Sequence, residues 1–251
     1  MMPWPAPWIG FAAMATSIKF GVVAAIEREL RPLLRHSNRI RSTAGFAFFE
    51  FPSAVVVCGG IGKFAAGKAA QALVKTYHPG TLVSAGFAGA VQPELKVADL
   101  LLPAEILDAD SGIKFATVAG EGILATITEV ADRSHKAVLA ASGVSAVDME
   151  AAAVARVAHE CSFRFLALKS ISDEVNFTMP PMHRFLSPAG KFRTPSFLAY
   201  AAMRPAMWPN IRQLAANCTR AAVVLSDALD TLLREGIIGK TPIGAIVRVD
   251  A

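Results

Sequence analysis

The sequence predicts a three-layer α/β/α fold around a mostly parallel central sheet. Three observations carry that expectation. Short apolar runs bounded by glycine and proline alternate with longer segments of helical spacing. The runs are apolar on consecutive residues rather than on alternate ones, as in strands covered on both faces. The chain has 251 residues, of which 53% are hydrophobic and 18% charged. That is long enough to bury a sizeable core and too apolar for global disorder.

The elements follow in order. Residues 1–17 hold Trp4, Pro5, Pro7 and Trp8 and no charged side chain. They lack the basic start of a secretory signal, and proline breaks the run too early for a bilayer span. An extension without stable order is expected there. Residues 18–25 read as a buried strand, and 27–35 as a helix with Ile26, Leu30, Leu33 and Leu34 at helical spacing. Residues 46–51 and 54–58 read as paired strands around Pro52-Ser53. Gly59-Gly60-Ile61-Gly62 then opens a helix over 63–77, which His78-Pro79-Gly80 stops. A strand over 81–85 ends in Gly86-Phe87-Ala88-Gly89. Short strands are expected at 100–103 and 122–127, helices at 129–142 and 149–161, and a buried strand at 163–170. Residues 177–193 show no clean period, Pro205 and Pro209 interrupt 195–212, and 214–233 reads as a terminal helix. A strand-like run at 243–249 has no derivable place. Residues 18–251 are expected to form one domain, with an apolar and basic helical segment over 177–233.

Charge narrows the function classes. The net charge is +5 and the pI about 9.3, with the excess in His183, Arg184, Lys191, Arg193, Arg204, Arg212 and Arg220. No RNA-binding sheet motif and no zinc-finger spacing accompanies it, so no nucleic-acid partner is expected. An anionic ligand or an anionic membrane surface accounts for it as well. Cys58, Cys161 and Cys218 are sparse and far apart, which fits a reducing cytoplasm rather than a disulfide framework. Cys58 and Cys161 read as buried small hydrophobes. The five histidines have no metal-ligand spacing, and no metal site is expected.

Open parallel sheets bind ligands beyond the carboxyl ends of their strands. The expected ends are Ala24-Ala25, Cys58-Gly59, Ser84-Ala85-Gly86 and the stretch from Ser170 to Asp173. With Asp148, Met149 and Glu150 at a helix start they outline one crevice, which also takes in Glu27 and Glu29. Acids at the ends of buried elements are costly unless paired or used. Asp173 fits either an acid kept protonated by desolvation or a helix cap beside Ser172. Glu150 fits either a carboxylate accepting two sugar hydroxyls or a first-turn glutamate. Glu29 fits the site or a solvated helix start. The Gly59–Gly62 turn offers backbone N–H groups to an anion, but matches neither the Walker nor the dinucleotide pattern.

Six segments then stand in a telling order: Gly21-Val-Val-Ala-Ala-Ile-Glu-Arg-Glu29, Gly60-Ile-Gly-Lys63, Ser84-Ala-Gly86, Leu95-Lys-Val-Ala-Asp99, Val147-Asp-Met-Glu150 and Ile171-Ser-Asp173. Together they resemble the nucleoside phosphorylase and nucleosidase superfamily over about 18–176. The resemblance implies a partly mixed sheet, a homo-oligomer, no cofactor, and cleavage of the N-glycosidic bond of a purine nucleoside, with adenine favoured. It implies that Asp173, with Ser172 beside it, protonates the leaving base at N7. Glu150 would hold the ribose hydroxyls, Met149 would pack on the sugar, and Glu29 would orient an attacking water. Ser84, with Ala85 and Gly86 beside it, would contact the nucleophile or ribose, and Asp148 would adjoin the sugar site. Phosphate is the alternative co-substrate, and Arg28, Arg31 and Gly60 are its candidate holders, because Thr81 stands where uridine phosphorylases carry an arginine. The chain departs from the nucleosidases at Asp148, where they often have glutamate, and at Lys169, where they often have arginine. It also lacks an aromatic stacking loop at 141–145.

The late segment, with Ser187-Pro-Ala-Gly-Lys191, Arg204-Pro205 and an Ala-rich closing helix, resembles the bacterial hopanoid-associated phosphorylases. That likeness implies an adenosylhopane-type substrate, a nucleoside joined to a triterpenoid. Phe177, Met179, Met182, Phe185, Phe192, Phe197 and Trp208, interleaved with basic residues, suit peripheral contact with the inner face of a membrane, or else packing on the core or on a second subunit. Two rivals remain: a water-using methylthioadenosine/S-adenosylhomocysteine nucleosidase, and a non-catalytic nucleoside- or lipid-binding protein.

Overall fold

A computed structural model describes residues 18–41, 45–129, 131, 133–187, 190–238 and 247–248. The extension over 1–17 lies outside the described residues. So does most of the 243–249 run, of which Val247–Arg248 pairs with Ile237–Ile238.

The strands are β1 (Phe20–Ala24), β2 (Asn38–Arg41), β3 (Ala47–Phe51), β4 (Ala54–Cys58), β5 (Thr81–Ala90), β6 (Leu100–Leu101), β7 (Glu105–Asp108), β8 (Lys114–Ala116), β9 (Ile123–Thr126), β10 (Val144–Asp148) and β11 (Arg164–Asp173). The helices are α1 (Arg31–Leu34), α2 (Lys63–Tyr77), α3 (Arg133–Ala141), α4 (Ala151–Glu160), α5 (Thr194–Ala202) and α6 (Trp208–Glu235). One sheet runs β2-β3-β4-β1-β5-β10-β9-β7-β8, and β11 joins it along β5 with β6 beside it. The pairs β1/β4, β1/β5, β5/β11, β9/β10 and β7/β9 are parallel, whereas β10/β5, β11/β6, β2/β3, β3/β4 and β7/β8 are antiparallel. The sheet is therefore mixed and lies between helical layers. One apolar core gathers Ala66, Ala70 and Leu73 of α2 and Val154 and Ala158 of α4 against Val55, Val57 and Leu82. The other gathers Leu225, Leu229 and Leu232 of α6 with Leu30 and Leu33 against Val22, Leu166 and Leu168.

Three differences from the expected elements bear on the site. β5 continues to Ala90, because Gly86-Phe87-Ala88-Gly89 stays extended against β11 as far as the Asp173/Gly89 pairing. β10 is a strand that the 141–145 segment did not announce, so α4 begins at Ala151 and Asp148 closes a strand. α6 begins at Trp208, with Pro209 in its first turn, where the missing N–H has no helical partner to lose.

The two partners on one edge of β5 define the geometry. β1 pairs in parallel with its first half, through Val23/Ser84, and β10 pairs antiparallel with its end, through Val147/Gly89. The carboxyl ends of β1 and β10 therefore point toward one another over residues 85–88 of β5.

The α6 face depends on its apolar stripe. Leu229 is fully buried. Leu229→Ala is expected to lower unfolding free energy by about 2–5 kcal/mol, to be measured by denaturant titration, without moving the sheet's side of the site.

Candidate active site

A cavity of about 180 Å³ opens at that meeting point, lined among others by Glu29, Phe87, Gly89, Lys136, Met149, Glu150 and Asp173. Each acid arrives by a local route. Glu29 lies in the 3-10 turn Glu27–Leu30 after β1 and is 7% exposed. Its Oε2 accepts the backbone N–H of Ala25 at 3.2 Å and of Ile26 at 3.4 Å. It is thus a cavity wall and not a solvated helix start. Glu150 precedes α4 and turns across to the glycine loop, where its Oε1 accepts the Gly62 N–H at 2.7 Å. Asp173 ends β11 and caps no helix.

Glycine makes room for two of these carboxylates. A Cβ at Gly89 would stand 2.8 Å from Asp173 Oδ2, and one at Gly86 would stand 3.2 Å from Glu29 Oε2. This close approach is the reason for both glycines.

Two lysines hold the cluster. Lys169 of β11 is 1% exposed; its Nζ lies 2.8 Å from Asp148 Oδ2 and donates to Ser84 Oγ at 3.1 Å. Asp148 also accepts the Thr126 hydroxyl at 2.6 Å and the Ala151 N–H at 2.9 Å, so it anchors the start of α4. Lys136 of α3 donates to Asp173 Oδ2 at 2.7 Å, and Ser172 Oγ donates to Asp173 Oδ1 at 2.9 Å. Asp173 is therefore a buried acid, 4% exposed, paired with Lys136 and Ser172. Burial raises the pKa of Glu29, against the pull of Lys169. Burial, the charge of Asp148 and then that of Glu29 push Glu150 up to about 8, although Lys169 opposes them. The surrounding acids raise Lys169 despite the opposite effect of burial, which is the larger single influence.

The other expected site residues fall as follows. Met149 lines the cavity. Ser84 and Ala85 are buried in β5 and lie below it, with Ser84 held by Lys169. Arg28 and Gly60 line a second cavity, and Arg31 is exposed and lines neither. The N–H groups of the glycine turn are taken: Gly59 by Ala24, Gly60 by Ala25, Ile61 by Gly190 and Gly62 by Glu150. Lys63 is ion-paired with Asp108 and Asp110. Among the described residues no cluster suited to a metal ion occurs. The cysteine reading is corrected: Cys161, at the solvent end of α4, is exposed, and Cys58 is partly exposed, in the wall of the second cavity.

That second cavity measures about 670 Å³ and shares Ala25 and Ile61 with the first. Its apolar lining includes Met182, Phe192, Phe197, Leu198 and Leu214. Phe185 and Phe197 are buried in an aromatic cluster, with ring centroids 5.4 Å apart, so part of the late apolar segment packs inward. Sequence reasoning missed Lys136, Thr126 and Phe87. Only Lys136 left a trace, as a lysine one turn from the apolar positions of a short helix.

A mixed α/β sheet with acids converging where strand ends meet defines a small-molecule site. The Phosphorylase superfamily model matches residues 19–127 and 116–187, and the chain belongs to that superfamily. The chain is 26% identical over 205 residues to the 5′-methylthioadenosine/S-adenosylhomocysteine nucleosidase of Shewanella sediminis, spanning 65% of this chain and 89% of the relative. The same-named protein of Tolumonas auensis is 24% identical over 198 residues, spanning 62% and 86%. The native futalosine hydrolase of Helicobacter pylori superposes with a TM-score of 0.65 at 19% identity, over 87% of this chain and 98% of that one. The Colwellia psychrerythraea methylthioadenosine/S-adenosylhomocysteine nucleosidase, in complex with adenine, gives 0.64 at 20%, over 86% and 95%. At these identities the structures attest the fold.

The buried acids set a pH dependence. Between about 4.5 and about 8 the unfolded chain has lost the Glu150 proton and the folded chain keeps it. Folding then takes up a proton, so stability falls as pH rises through that window. Glu29, also raised, acts in the same direction. Thermal melts are expected to show a lower Tm at pH 8.5 than at pH 5.5, and Glu150→Gln is expected to flatten the slope.

Proposed function

We propose that the protein hydrolyses the N-glycosidic bond of a purine nucleoside whose 5′ substituent is large and apolar. The observation that carries this reading is the convergence of Glu29, Glu150 and Asp173 on one cavity of about 180 Å³. Bond cleavage leaves negative charge on the base and positive charge on the sugar. Asp173 passes a proton to the base, and the ionised form of Glu150 accepts the ribose hydroxyls and steadies the cationic ring. Glu29 takes a proton from the attacking water. Phe87, Val147 and Met179 give the base an apolar wall.

Water is favoured over phosphate because the groups that would hold an anion are taken. Lys136 and Lys169 are ion-paired with Asp173 and Asp148. The glycine-turn N–H groups and Lys63 are already engaged.

The adjoining cavity favours a large 5′ group. Its volume falls in the range of about 300–1,000 Å³ that takes drug-sized ligands. An adenosylhopane-type nucleoside suits it better than methylthioadenosine, the substrate class named for the sequence relatives. Leu198 lines this cavity and is 59% exposed, and the nearby Met203 and Trp208 are 78% and 46% exposed. With Arg193, Arg204 and Arg212 they supply the apolar and cationic mixture of a membrane-contacting face. Among the described residues no helix is long and apolar enough to cross a membrane.

The test is adenine release from 5′-substituted adenosines of increasing apolar size, with and without phosphate. Turnover is expected without phosphate, with kcat/KM rising with substituent size. Asp173→Asn is expected to lower kcat by a factor of about 10²–10⁴. Phosphate dependence would replace water with phosphorolysis. A flat response to 5′ size would return the chain to the small-substituent activity, and binding without turnover would remove the enzymatic reading.

A further inference from the structure

Lys136 breaks the pattern of its own helix. It is the buried residue of α3, 4% exposed, while Val138 two positions on is 69% exposed. A lysine turned inward and a valine turned outward are the reverse of what packing asks. Stability does not explain the inversion, because a buried ion pair is often no better than well-packed apolar residues. The side chain lines the same cavity as Glu29, Glu150 and Asp173, and its Nζ is 2.7 Å from Asp173 Oδ2 and 3.5 Å from the Glu174 carbonyl.

The hydrogen bonds around Asp173 leave a proton unaccounted for. Oδ2 accepts from the Lys136 ammonium at 2.7 Å, and Oδ1 lies 2.9 Å from Ser172 Oγ, which also has the Ala88 carbonyl at 3.4 Å. A carboxylate held in an ion pair with an ammonium has no proton of its own to give. The positive charge nearest to it is Lys136. The other titratable groups about the cavity are Glu29, Glu150 and the Asp148–Lys169 pair, and Lys169 is occupied by Asp148 and Ser84.

We infer that Lys136 is the source of the proton that the leaving base receives, with Asp173 as the relay. This rests on the hydrolytic reading above. As the bond between the sugar and the base nitrogen breaks, its electron pair goes to the base. The Lys136 ammonium gives a proton to Asp173 Oδ2, and Asp173 gives one to a ring nitrogen of the base. Lys136 ends as a neutral amine and Asp173 as a carboxylate. Water adds to the sugar carbon and its proton goes to Glu29. When the products leave, Lys136 takes a proton from solvent and Glu29 returns one, so the cycle closes. Lys136 thus acts through Asp173 as a positioning and proton-supplying residue.

Lys136→Arg separates this role from a structural one. Arginine keeps the charge and the ion pair but does not give up its proton. The readout is kcat on two substrates: the purine nucleoside that the wild-type protein cleaves best, and 4-nitrophenyl β-D-riboside, whose phenolate departs without being protonated. Lys136→Arg and Lys136→Met are expected to lose on the order of 100-fold or more on the purine nucleoside and to stay within a few-fold of wild type on the nitrophenyl riboside. The second substrate also reports whether each variant is folded. A Lys136→Arg protein that keeps its purine rate would show that charge alone matters and overturn the inference. Equal losses on both substrates would make Lys136 a structural residue. A wild-type protein inactive on both would overturn the hydrolytic reading itself, which is a different failure from an unimpaired Lys136→Arg variant of an active enzyme.

Discussion

The ion pair between Lys169 and Asp148 is the constraint on which the site depends. The two side chains are 1% and 0% exposed and 2.8 Å apart. They join β11 to the end of β10, two strands that do not pair with one another, and through Ser84 Oγ they include β5 between them. Losing one partner of such a pair leaves an uncompensated buried charge, at about 3–5 kcal/mol. Asp148 in turn holds Thr126 and the first N–H of α4, so Glu150 inherits its position from a charge it does not touch. The same lysine moderates the two acids whose burial raises their pKa, Glu29 and Glu150. One cation therefore fixes both the shape and the protonation balance of the cavity.

β5 supplies the second constraint. A ten-residue strand has room for two partners along one edge, and here the partners run in opposite directions. An all-parallel sheet would place every strand end on one side. The reversal at β10 instead directs Asp148, Met149 and Glu150 back toward the end of β1, where Glu29 waits. Gly86 and Gly89 leave room on the facing stretch, because a Cβ at Gly89 would stand 2.8 Å from an Asp173 oxygen and one at Gly86 3.2 Å from a Glu29 oxygen. Topology and glycine placement thus solve one packing problem together: three acids within a small volume against a continuous strand.

This explains which parts of the site were legible beforehand. β1, β4 and α2 are marked by unbroken apolar runs and by glycine and proline punctuation, and their positions follow from local rules. The acids at 29, 150 and 173 stand out because acids beside buried strands need a reason. Thr126 is a residue of no local distinction and Lys136 left only a faint trace; the packing of α3 brings Lys136 to the cavity, and the pairing of β9 with β10 brings Thr126 to Asp148. β10 itself was hidden because its expected signal, a run of β-branched or aromatic residues, is diluted by Ser145 and Ala146. Its partners are β9 and the far end of β5, contacts that no window of sequence contains. Arg28, Arg31 and Gly60 stand near a strand end in sequence. The fold places Arg28 and Gly60 in the second cavity and leaves Arg31 exposed, because the 3-10 turn of 27–30 turns Glu29 and Leu30 inward and not Arg28.

The two cavities draw on different parts of the chain. Residues that hold the acids fall within the span matched by the superfamily, which ends at 187. Much of the larger cavity, including Phe192, Phe197, Leu198, Leu214 and Cys218, is contributed from beyond that point. Gly190 ties the two regions together: its carbonyl accepts the Ile61 N–H at 2.9 Å, and a Cβ there would come within 2.4 Å of the Ile61 carbonyl oxygen. The loop that opens α2 and presents Gly62 to Glu150 is therefore braced by the segment that builds the apolar cavity.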